Sequence, residues 1–102
     1  MSLRRGPFGV KRWASSGGGG ATIAFVWDTV TNATSYVLQV GTASGGPWTV
    51  HDADVGLALN HDVPLAPGTY YSRVVPYIDA AAQTPMTEQG WTLNSDGTVV
   101  AL

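Results

Sequence analysis

Two short runs hold most of the groups able to do chemistry: His51-Asp52-Ala53-Asp54 and Asn60-His61-Asp62. Imidazole beside carboxylate suits zinc and similar ions, and oxygen-rich loops suit calcium. Neither run has calcium-loop spacing. Both fall near strand ends, where Asp and Asn shape turns by bonding their own backbone. They are read as turns, and no metal site is assigned. His61 falls in the apolar register of its segment, as a hydrogen-bonded core or rim histidine does. Catalysis finds little to work with. The chain has two His, no Cys and Glu88 as its one Glu. Nothing brings a nucleophile, a base and an orienting acid together. The reading is therefore not an enzyme, with no catalytic residue and no cofactor. The lack of cysteine also excludes a disulfide framework and a thiolate site.

Charge is the next signal, because it is so unevenly placed. Residues 1–12 hold Arg4, Arg5, Lys11 and Arg12 and no acidic group. Residues 13–102 hold Arg73 against six Asp and one Glu, so the split is +4 and −6 within a net charge of −2. Such asymmetry suggests that the basic segment meets an acidic surface. Phe8, Val10 and Trp13 add apolar grip, as an added strand would require. Arg4, Arg5, Phe8, Lys11, Arg12 and Trp13 are thus candidate partner-binding residues. Nucleic acid is disfavoured, because few aromatics interleave the charges and the acidic body would be repelled. No stretch approaches the 18 apolar residues of a membrane span. The N-terminus lacks the apolar core of a secretory signal. Its first residues are also compatible with a segment trimmed from a longer protein.

The aromatics Trp48, Tyr71, Tyr77 and Trp91 are expected to reach the surface, as sugar-stacking or protein-contact residues. Trp48 and Trp91 also suit the edges of a core. Tyr71, Arg73, Val75 and Tyr77 alternate with Ser72, Val74 and Pro76. If Tyr70 packs inward, the first four form an outward stripe beside Val37. The opposite parity would bury Arg73 without a partner, which is costly.

The elements that position these residues follow a period of two. Ile23, Phe25 and Trp27 share one face, as do Tyr36, Leu38 and Val40. Leu57, Leu59, His61 and Val63 alternate likewise. WTVHD and EQGWTL read as short strands, and TYYSRVVPYI as the longest. Gly45-Gly46-Pro47 marks a turn, and Asp96-Gly97 a hairpin into TVVAL. Turn signals recur every 8–12 residues or so with no amphipathic helix, the pattern of an all-β sandwich or barrel. With 102 residues the chain is one domain. Its organisation is a basic arm and glycine-rich linker over 1–20, a sandwich over 21–93 and a C-terminal hairpin strand over 94–102. Residues 8–13 could instead form a first strand. Charged residues are only 12% of the chain, so its surface has little to keep neighbours apart.

The order of Trp27, Tyr36 nine residues later, and Leu65, Pro67 and Tyr70 in VPLAPGTYYSRVVPYI resembles a fibronectin type III domain, particularly its bacterial and phage versions. The likeness spans about residues 21–93. It implies an antiparallel immunoglobulin-like β-sandwich of about seven strands, here with an N-terminal arm and an extra C-terminal strand. Three features depart from the family: Ser72 where a bulky apolar residue is common, Pro76 within a strand, and the two ends of the chain. Such a fold implies a structural or protein-interaction module rather than a catalyst. Read as a whole short chain without a signal, the sequence suggests an accessory subunit of a phage virion, assembled in the host cytoplasm. Its role would be capsid decoration, neck or tail. Its arm would dock on copies of itself or on a larger virion protein. The alternative is a carbohydrate- or surface-binding domain of a secreted bacterial protein.

Overall fold

The computed structural model describes residues 2–5, 8–17 and 20–102, with side chains from residue 21 onward. Its strands are β1 (Ser2–Arg5), β2 (Phe8–Gly17), β3 (Gly20–Trp27), β4 (Ser35–Gly41) and β5 (His51–Asp54), then β6 (Asn60–Leu65), β7 (Gly68–Ile78), β8 (Ala81–Ala82), β9 (Gln89–Leu93) and β10 (Val99–Ala101). No helix occurs among the described residues. One sheet has the order β1-β2-β3-β6. The other runs β10-β9-β7-β4-β5, with β8 beside β7, and every pairing is antiparallel. The protein is an all-β sandwich.

Alternation explains which residues meet. Successive strand side chains point to opposite faces, so one apolar set per strand can enter the core. From β3 these are Ala21, Ile23, Phe25 and Trp27, and from β4 Tyr36, Leu38 and Val40. Val63 and Leu65 join from β6, Tyr70 and Val74 from β7, Trp91 and Leu93 from β9, and Val99 from β10. Register keeps the sets aligned: Ile23 pairs with Val63, Leu38 with Val74, and Tyr70 with Trp91. Each fully buried Ile, Leu, Val or Phe contributes about 1.5–3 kcal/mol.

Strand β7 is the spine, with β4 on one side and β9 on the other. Tyr70 lies inward and its hydroxyl donates to the Ala66 carbonyl at 2.6 Å, closing the corner into β7. Ser72 and Val74 follow it inward, which leaves Arg73 on the outer face. Pro76 sits well inside a strand flanked on both sides. Its register partner is Tyr36, while its carbonyl accepts the Gln83 amide on the opposite side. A strand residue's N–H and C=O point the same way, so the missing N–H faces the irregular 83–88 segment. The regular β7–β9 ladder has already ended there, at Ser72 and Gln89. Pro76 is tolerated for that reason, not because it lies at an outer edge.

Three expectations need correction. Trp91 does not reach the surface: it is 0% exposed and packs on Phe25 and Tyr70, with ring centroids 6.0 and 5.1 Å away. The strand expected from Trp48 begins only at His51, because residues 42–50 form a loop. Leu57 and Leu59 do not share the buried face of Val63. They precede β6 and are 63% and 38% exposed.

Candidate interaction surface

The outer face of the larger sheet gathers the side chains best suited to contact. Register sets them in rows across the strands. Arg73 of β7 lies beside Gln39 of β4, which lies beside Asp52 of β5. Arg73 Nε donates to Gln39 Oε1 at 2.7 Å, and Gln39 Nε2 donates to Asp52 Oδ1 at 3.3 Å. The Arg73 guanidinium also stacks over Trp48, 4.8 Å from the ring centroid. Planar guanidinium on an indole face is an attractive electrostatic contact. It also fixes the orientation of the cation.

Trp48 reaches Arg73 because its loop folds back over the end of β4. Gly41 permits this: a Cβ there would lie 2.5 Å from the Pro47 carbonyl oxygen. A second tie holds the loop from the other end. The Glu88 carboxylate accepts from Ser44 Oγ and from the Gly45 amide, both at 2.7 Å.

The neighbouring row is apolar. Tyr71 pairs with Gly90 on β9, and Leu102 follows β10. A Cβ at Gly90 would meet the Tyr71 ring at 2.9 Å and a Leu102 methyl at 3.0 Å. The bare glycine thus lets these two side chains close over β9. Val100 and Leu102 are 51% and 58% exposed, so both apolar side chains face solvent. On the other flank Val75 pairs with Val37, and Tyr77 with Ser35.

Of the outward stripe, Tyr71, Arg73 and Tyr77 are half-buried and offer surface. Val75 is only 5% exposed, so it supports the face more than it presents one. The side chains of Arg4, Arg5, Phe8, Lys11, Arg12 and Trp13 lie outside the described residues. Sequence reasoning missed Trp48 as the partner of Arg73, Gln39 and Asp52 as its relay, and Leu102 as the second side chain over Gly90. The apolar terminal strand was the one available signal for Leu102.

Elsewhere, burial pushes the Tyr70 hydroxyl up from its ordinary value of 10.0. Among the described residues no three His, Cys, Asp or Glu converge as a metal-binding group. No family model matches the chain, and no curated protein matches it.

Proposed function

We propose that this protein is a non-catalytic structural module that works by protein contact through the outer face of its larger sheet. The observation that carries this reading is the Arg73–Trp48 stack set beside Tyr71 and Leu102. Arg, Trp and Tyr are the residue types that dominate binding energy at protein interfaces, and here they are held in place by neighbours. The charge split within the chain makes another copy of itself the fitting partner, with a larger virion protein as the surface both would decorate. In that setting the module is a fibronectin type III-like accessory subunit of a phage particle, held by its basic N-terminal segment. Trp27, Tyr36, Leu65, Pro67 and Tyr70 support the family likeness, together with the order β2-β3-β6 against β9-β7-β4-β5. A sugar-binding role is weaker, since Trp91 is buried and one side of the Trp48 ring is taken by Arg73.

Sedimentation velocity tests the reading. The full chain at low salt is expected to self-associate, and the Tyr71→Ser/Arg73→Ala double variant to run as a folded monomer. A wild-type chain that stays monomeric at every concentration, or a double variant that associates equally well, would overturn it.

A further inference from the structure

His51 and His61 come from different sheets and meet. His51 of β5 pairs with Val40, and His61 of β6 pairs with Phe25, both of them core residues. Alternation therefore turns both imidazoles toward the gap between the sheets. They meet at the side of the sandwich where β5 and β6 end the two sheet orders without pairing to each other. Both rings are half-buried, with centroids 5.1 Å apart and planes at 50°.

One nitrogen is already assigned by its partner. His51 Nδ1 lies 3.0 Å from the Leu38 carbonyl oxygen. A carbonyl oxygen only accepts, so in that bond Nδ1 carries the hydrogen, and the neutral ring's Nε2 keeps its lone pair. Metal-binding histidines are held in this way, with one ring nitrogen donating to a backbone carbonyl and the other free to ligate. The separation also fits. With metal–nitrogen bonds of about 2.0–2.1 Å, two imidazoles on one tetrahedral ion place their centroids about 5 Å apart.

We propose that His51 and His61 form a two-imidazole site for a borderline divalent transition ion, the class of Zn²⁺, Ni²⁺ and Cu²⁺. No third protein ligand joins them among the described residues, so water completes the coordination and the ion exchanges readily. The site bridges the two sheets. An ion there requires β5 and β6 to be in place, so it stabilises the folded chain by mass action.

The two rings are the chain's only histidines, so its imidazole NMR signals belong to them alone. Zinc chloride is titrated into the full chain at neutral pH. Both ring spectra are expected to move together and saturate at one ion per chain, with reversal by chelator. The thermal midpoint should rise on the order of 10 °C once free zinc is a hundredfold above its dissociation constant. His51→Gln and His61→Gln should each abolish both effects. The proposal is overturned if only one ring responds, if millimolar zinc leaves both rings and the midpoint unchanged, or if either variant keeps the shift. The wild-type spectra decide the matter even where a variant fails to fold.

Discussion

Tyr70 shows how much of a corner one hydroxyl can hold. Its ring fills core between Trp91 and the β7 entry while its oxygen bonds the Ala66 carbonyl at 2.6 Å. Tyr70→Phe keeps the ring and removes the bond, and is expected to cost about 1 kcal/mol in urea unfolding. Alkali adds a sharper signature. Burial raises the hydroxyl's folded pKa above its ordinary value, so at high pH the unfolded chain loses this proton first. The stabilisation is complete below pH 10 and is lost as pH rises through the folded value. The phenylalanine variant should lack that increment of alkaline destabilisation. An identical alkaline profile for both proteins would mean that Tyr70 is not the group responsible. Tyr70 was legible because burying Arg73 was the worse alternative. Ser72 was not: a small polar residue in a core strand looks like a flaw. Its role appears only with Trp91, 19 residues away in the chain, whose Nε1 donates to Ser72 Oγ at 3.0 Å. A bulkier apolar residue there would leave a buried indole N–H without its acceptor.

At the scale of elements, alternation made β3, β4 and β7 readable, because a period of two survives wherever one face is buried. Loops carry no such period. Within the 42–50 loop only Gly45-Gly46-Pro47 reads as a turn, Trp48 to Val50 read as strand, and nothing near Trp48 announces that Arg73 or Glu88 will receive the loop. The β7–β8 connection is similar. Asp79 and Ala80 link Ile78 to Ala81 with φ of 50° and 69°, both in the left-handed region. Hairpins of this kind favour Asp-Gly or Asn-Gly, since glycine adopts positive φ freely. Asp79 is helped by its amide, which donates to Thr34 Oγ1 at 2.9 Å. Ala80 has only its position in the turn. Left-handed alanine costs about 1–2 kcal/mol, against roughly 0.5–1 kcal/mol of extra unfolded-state freedom for glycine. Ala80→Gly is therefore expected to stabilise the protein by about 0.5–1 kcal/mol, read as a higher denaturation midpoint with unchanged slope. A lower midpoint would mean that the turn is not held in this conformation in solution.

For the whole molecule, the decisive quantity is the separation of charge along the chain. Residues 13–102 carry one cation, and the outer sheet face has already engaged it with Trp48 and Gln39. The remaining positive charge lies within residues 1–12, so the proposed attraction between copies would depend on those four groups. Exposed charges separated by more than a Debye length of about 8 Å are largely screened at physiological salt. Self-association through this split should therefore weaken as salt rises from 20 mM to 500 mM. The apolar contribution of Tyr71 and Leu102 should persist across that range. Removing residues 1–12 is a poor test, because β1 and part of β2 would go with them. Replacing Arg4, Arg5, Lys11 and Arg12 by Gln keeps the backbone and removes only the charge. That variant is expected to associate weakly at low salt and to show almost no salt dependence. Salt dependence as steep as the wild type's would place the attracting charge elsewhere. Unchanged association with no salt dependence in either protein would assign the contact to the outer sheet face alone.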